Sequence, residues 1–283
     1  MITTRTAAET QVSYSLPLWA MPTAVSLDAP LVAVLWQWFF ARSLGLELHP
    51  LASVLLFATV WLIYAADRLL DSLNLDLGKK HTYRHAFSQY YRTQLSIIWV
   101  LIFLPTAGLS LFELGPQVFH LGLIAVGLTL IYGLGIHTFK PLVSHSKELQ
   151  IGLIFAFGTL LAFSGQLPLS QLLVPGISFA LLCSFNCYTI ALFERNTDAQ
   201  QRTLSLAQHY GRLEPLLKIL LPLFILATAC LSFWVHTPLY FMMSLSALGL
   251  RLLISCQARL TAEPLRVLAD AMLLTPLLLL CFW

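Results

Sequence analysis

Charge is what this 283-residue chain has least of. Only 10% of its residues are Asp, Glu, Lys or Arg, where an ordinary soluble domain carries roughly 25%. With 58% hydrophobic residues and a mean hydropathy of +0.79, that scarcity excludes a soluble domain and predicts a polytopic membrane protein. A concentrated basic surface is missing too: the net charge is +3, the pI is near 8.6, and the basic residues are spread over several loops. Nucleic acid is thereby excluded as a partner, leaving membrane lipids and lipid-like molecules. The five cysteines, Cys183, Cys187, Cys230, Cys256 and Cys281, show no CxxC spacing and no histidine cluster, so neither zinc nor a disulfide framework is indicated. The opening stretch MITTRTAAETQVSYSLPLWAMP lacks the compact positive region, apolar core and small-residue cleavage site of a signal peptide. The first membrane helix is therefore expected to remain in the mature protein.

What the chain does have is apolar segments near the ~20 residues a bilayer crossing needs. They run at roughly 24 to 44, 50 to 66, 94 to 112, 118 to 138, 150 to 164, 172 to 193, 216 to 235, 237 to 255 and 266 to 283. The expected fold is an all-α polytopic membrane bundle of about nine transmembrane helices forming one domain over 1–283. The fifth segment is short enough to tilt or re-enter. Lys and Arg placement checks the count: Arg68, Lys79, Lys80, Arg84 and Arg92 follow segment two, and Lys140 and Lys147 follow segment four. Arg195, Arg202, Arg212 and Lys218 follow segment six, and Arg251, Arg259 and Arg266 surround the connection after segment eight. Odd connections hold only Arg42. The positive-inside rule then puts the even loops and the N-terminus in the cytoplasm and the C-terminus outside.

Against this apolar background two acidic pairs stand out, Asp67 with Asp71 in YAADRLLD and Glu194 with Asp198 in ALFERNTD. Their i, i+4 spacing puts both carboxylates of a pair on one helix face. Both fall where a predicted helix ends on the cytoplasmic side. Acids at a helix C-terminus oppose the macrodipole, so ordinary solvated helix ends, neutralised by Arg68 and Arg195, explain them poorly. The functional reading is that the four hold Mg²⁺, which takes one or two carboxylates and shares its shell with substrate phosphates. A diphosphate needs cations as well, and Lys80, Arg84, Lys140 and Arg195 lie on the same side. Asn186, two turns before Glu194, is a polar residue in hydrocarbon and a candidate for the site lining. Trp61, Tyr64, Phe185, Tyr188 and Phe193 are aromatic faces within about three turns of the acids, suited to a cationic centre. Asp28 and Asp270 are further intramembrane acids that read either as a second site or as paired helix-end residues.

The residues around the acids resemble a family. DRLLD followed by KKHTYRH resembles the first aspartate-rich motif and basic loop of UbiA-type intramembrane prenyltransferases. ERNTDAQQRTLSLAQHYG is similar to their second motif, with Thr203, Leu204 and Gly211 in its later positions. FKP at 139–141 and KELQIGLIFAFG resemble the lysine-bearing loop and glycine-containing fifth helix. The resemblance covers most of the chain. It implies a nine-helix bundle that uses Mg²⁺ to transfer a prenyl group from a prenyl diphosphate to a lipophilic acceptor. By position it implies Asp67, Asp71, Glu194 and Asp198 as metal ligands and catalytic residues, with Arg84 and Lys140 touching diphosphate. Three positions depart from the pattern: Ile63 replaces an asparagine, Glu194 an aspartate and His85 a proline. The loss of the asparagine leaves open a terpene cyclase on the same framework. A non-catalytic lipid-binding or transport protein is the third reading, disfavoured because the acids gather at one surface instead of the midplane.

Overall fold

The structure, a computed structural model, describes residues 16–73, 81–138, 146–201 and 211–282. All of the described regular structure is helical. The helices are α1 (Asp28–Leu44), α2 (Pro50–Leu73), α3 (Tyr83–Tyr90), α4 (Arg92–Glu113), α5 (Pro116–Thr138), α6 (Lys147–Leu160), α7 (Leu169–Gln201), α8 (Leu213–Val235), α9 (Pro238–Cys256) and α10 (Ala262–Ala271). A 3₁₀ segment, Met272–Phe282, continues α10.

Each of the nine apolar segments coincides with helix, but six helices are long and apolar enough to cross a membrane: α2, α4, α5, α7, α8 and α9. A seventh crossing arises if the turn at Leu18–Ala24 and α1 count as one span, broken by a 77° bend. The break falls at Ser26, whose φ of 63° lies in the left-handed region that side chains other than glycine rarely occupy. Two donors on α2 brace it: Trp61 Nε1 donates to the Val25 carbonyl at 3.0 Å, and Arg68 donates to the Thr23 carbonyl. At the fifth and ninth predicted crossings the α-helices are shorter than the ~20 residues of a bilayer crossing. One is the 14-residue α6; the other divides into the 10-residue α10 and its 3₁₀ continuation. The described residues thus form a multi-pass helical bundle in which six helices, or seven with the bent pair, are long and apolar enough by themselves to cross a membrane.

In hydrocarbon, apolar helices gain little by leaving the lipid, so close packing and interhelical hydrogen bonds hold the bundle together. Packing is tightest between α6 and α7, where a Cβ on Gly152 would lie 2.5 Å from the Ala180 carbonyl oxygen and 2.2 Å from Ser184 Oγ. Only glycine permits that approach. Beside it, Trp36, Phe39, Phe40, Phe163 and Phe179 are wholly buried, with Trp36 and Phe179 ring centres 4.9 Å apart. Trp36 also donates to the Leu273 carbonyl at 2.8 Å, tying α1 to the 3₁₀ segment. Hydroxyl pairs Thr228–Ser244 and Ser246–Thr275, each at 2.7 Å, join α8 to α9 and α9 to the 3₁₀ segment. By contrast, 6% of the apolar window of α4 and none of that of α5 is buried in the chain. Their surfaces suit contact with lipid.

α7 positions the site. Its 33 residues span about 50 Å at 1.5 Å each, beyond the ~30 Å hydrocarbon thickness. The apolar pattern stops near Phe193, but the helix continues to Gln201 because Glu, Arg and Gln are good helix formers. Glu194 therefore stands two turns inside the helix. The macrodipole argument made for a terminal acid fails there, since the effect is confined to the last turn.

Candidate functional site

One end of the bundle gathers a cluster of charged side chains. Glu194 on α7 is 7% exposed and sits between two guanidiniums from other helices. Arg84 Nη2 of α3 donates to its Oε2 at 3.0 Å, and Arg266 Nη1 of α10 donates to its Oε1 at 3.1 Å. A second carboxylate, Glu263, accepts from the Tyr83 backbone N–H at 3.0 Å. It supplies the first turn of α3 with an acceptor that the helix itself lacks. Together these contacts clamp the short α3 onto α7 and α10. A cleft of about 150 Å³ opens alongside, between Thr82, Glu194, Thr197 and Glu263.

The first acidic pair meets this cluster through α3. Asp67 and Asp71 share one face of α2 and both are exposed. His85 Nε2 lies 3.6 Å from Asp71 Oδ2, and Arg84 Nε donates to the same His85 nitrogen at 3.4 Å. Burial and the neighbouring Arg84 charge push the His85 pKa down, against the opposing pull of Asp71. His85 is therefore neutral at pH 7, which leaves Nε2 free to accept from Arg84. Arg84 has the opposite balance. Burial pulls its pKa down, but Glu194, Asp71, Glu263 and Asp28 outweigh that and raise it overall. Hydrogen bonds thus run from His85 through Arg84 to Glu194 and Arg266, with Asp71 beside His85 at 3.6 Å, and bring one acid of each motif to the same end of the bundle.

Several sequence-derived candidates lie elsewhere. Arg195 is exposed and lines a separate cleft of about 290 Å³ with Asn196, Glu214 and Gln257, so it does not neutralise Glu194. Arg68 is buried and pairs with Asp28 at 3.4 Å; it does not serve the Asp67–Asp71 pair. Tyr188 lies within electrostatic reach of Glu148 on α6. Asn186 and Tyr64 belong to a deeper polar group that includes Asp28 and Asp270. Lys80, Lys140, Thr203, Leu204 and the side chain of Asp198 lie outside the described residues. Among the described residues, no three His, Cys, Asp or Glu side chains converge as a metal-holding group.

The sequence reading missed Arg266, the second cation on Glu194, and the pairings of Asp28 and Asp270. A signal was present. Arg266 and Asp270 are spaced i, i+4 in an otherwise apolar stretch, the same pattern that drew attention to the two acidic pairs. No protein-family model matches the chain, and no curated protein or solved structure is significantly similar to it.

Proposed function

We propose that this protein is a membrane-bound prenyltransferase, which transfers the prenyl group of a prenyl diphosphate to a lipophilic acceptor with Mg²⁺ as cofactor. The observation that carries the reading is the approach of Asp71 to Glu194, with His85 and Arg84 between them. It brings one acid of each motif to the end of an apolar bundle, where a charged diphosphate can stay near water while its prenyl tail lies among the helices. In this reading the N-terminus and the site face the cytoplasm, the side assigned by the Lys and Arg asymmetry.

The side chains fit the metal unequally. Asp67 and Asp71 are exposed oxygen donors on one face, the kind of ligand Mg²⁺ takes while sharing its shell with phosphate and water. Glu194 does not fit as it stands, because each of its oxygens already accepts from an arginine. When bound, magnesium supplies charge stabilisation to the leaving diphosphate. The protein's own part is to orient that anion. Arg84 faces both motifs and is held by Glu194, so it presents its remaining donors without a conformational search. Glu194 in this scheme positions Arg84 and Arg266.

The saturation of Glu194 also favours a second reading, a non-catalytic protein that binds lipid diphosphates or other anionic lipids. Purified protein supplied with Mg²⁺, a panel of prenyl diphosphates and a lipid extract separates the two. Prenyl transfer predicts slow diphosphate release from the prenyl diphosphate alone and faster release, with a prenylated product by mass spectrometry, once the right acceptor is present. Acceptor-independent formation of a cyclic hydrocarbon or alcohol would assign a terpene cyclase. Binding without any diphosphate release would assign the non-catalytic protein.

A further inference from the structure

The cleft of about 290 Å³ that Arg195 lines has its place set by where three apolar helices stop. The apolar span of α7 ends at Thr197, that of α8 begins at Leu213 and that of α9 ends at Arg259, so the cleft opens at the boundary of the hydrocarbon. Its lining is two-sided. Phe193 and Leu265 are buried and Leu260 is exposed, and together they give it an apolar wall, while Arg195, Asn196 and Gln257 bring N–H donors. Among the described residues none of those three polar side chains has a hydrogen bond or an ion pair. The carboxylate in the lining is Glu214, and Lys218 holds it at 2.7 Å. Its charge is offset, so Arg195 leaves the cleft positive. Two more exposed arginines flank it in the chain: Arg212 at the N-cap of α8, and Arg259 in the 3₁₀ turn Gln257–Arg259 that follows α9. Neither is ion-paired among the described residues.

We propose that this cleft binds the phosphodiester headgroup of an anionic glycerophospholipid, with the phosphate on Arg195 and the start of the acyl chains along Phe193, Leu260 and Leu265. The two kinds of lining select the ligand. An unpaired guanidinium with amide donors beside it suits a phosphate, and basic pockets between transmembrane helices hold anionic headgroups. A soluble phosphate would leave the apolar wall unused. A zwitterionic lipid brings a cation along with its phosphate and so gains less from the positive rim. The diphosphate of the proposed substrate belongs elsewhere, because its magnesium ligands Asp67 and Asp71 are on α2, which contributes nothing to this lining. The two clefts share Thr197, Thr261 and Ala262 as a common wall, yet Arg195 opens onto this one and Glu194 onto the other. The lipid site does not rest on the transferase reading.

The test is equilibrium binding of dioctanoylphosphatidylglycerol and dioctanoylphosphatidylcholine to the full chain in micelles of an uncharged detergent, with empty micelles as the blank. The wild-type protein should prefer the anionic lipid by about tenfold or more. Arg195→Gln should bring the two affinities within about threefold of each other, and Arg195→Lys, which keeps the charge but loses the fork, should restore part of the preference. Gln257→Glu sets a carboxylate in the same cleft from a different element and should lower the preference as well, which keeps the proposal open to test if Arg195→Gln fails to fold. Arg92→Gln removes the same charge from the start of α4 and should change nothing. Equal wild-type affinity for the two lipids would overturn the proposal, as would an equal loss in Arg92→Gln, which would assign the preference to the general charge of the surface. Displacement of the bound lipid by an equal concentration of inorganic phosphate would overturn it by assigning the cleft to a soluble anion. Displacement by an equal concentration of geranyl diphosphate with Mg²⁺ would do so by assigning it to the substrate. Nothing in the assay turns over and no acid of either motif is altered, so failure here leaves the transferase reading standing, and absence of transferase activity leaves a positive result standing.

Discussion

Replacing Glu194 by glutamine separates the two roles that a carboxylate at this position can have. The side chain is isosteric, but it loses the charge shared by Arg84 and Arg266 and turns an amide NH₂ toward one of two guanidiniums that have only donors to offer. The three side chains are 9%, 15% and 8% exposed, so water compensates little. Removing one partner of a buried, hydrogen-bonded charge cluster costs about 3–5 kcal/mol. The expected loss for Glu194→Gln is therefore about 3 kcal/mol or more, over a hundredfold in the folding equilibrium. It should be read by reversible denaturant or SDS titration of the protein in mixed micelles. The triple variant Glu194→Leu, Arg84→Met, Arg266→Met removes the charges together and should regain most of the loss, since apolar replacements of a whole buried ion cluster are often neutral. A Glu194→Gln protein within ~0.5 kcal/mol of wild type, the range of an ordinary surface substitution, would refute the clamp. Weakened Mg²⁺-dependent ligand binding in that same stable variant would return Glu194 to the metal.

Three further outcomes follow from the packing and the exposed acids. Gly152→Ala should destabilise by about 1–3 kcal/mol through overpacking against the α7 backbone, whereas Gly158→Ala, with open space around it, should be neutral in the same titration. Trp36→Phe should cost about 1–3 kcal/mol, because it leaves the Leu273 carbonyl without its donor; a change below ~0.5 kcal/mol would mean that the indole bond contributes nothing. Asp67→Asn and Asp71→Asn should leave stability within ~0.5 kcal/mol of wild type while weakening Mg²⁺-dependent diphosphate binding at least tenfold, a cost of ~1.4 kcal/mol.

Hydrophobic runs made the helical bundle legible, because a lipid-facing helix must be apolar whatever its partners. The number of crossings was less legible. Run length does not distinguish a straight span from the 14-residue α6 or from the break after Ala271, which depend on neighbours such as α7 and Trp36. Among the charged residues, i, i+4 spacing put Asp67 and Asp71 on one face, as the structure has them. The pairings of Arg68 with Asp28 and of Arg266 with Glu194 join residues 40 and 72 positions apart. Local pattern carries no information about which helix comes to lie beside which. Asn186 was singled out because an amide in hydrocarbon needs a partner; that the partner is Asp270 became visible only once α7 and α10 were side by side.

The account turns on whether the two acidic motifs act as one site for a metal-bound diphosphate. The most direct measurement is geranyl diphosphate binding to the wild-type protein in nanodiscs, with Mg²⁺ and again with EDTA. The predicted result is Mg²⁺-dependent binding that falls at least tenfold with EDTA, with Asp67→Asn and with Arg84→Met. Binding indifferent to EDTA and to both substitutions, or no binding at all, would contradict it.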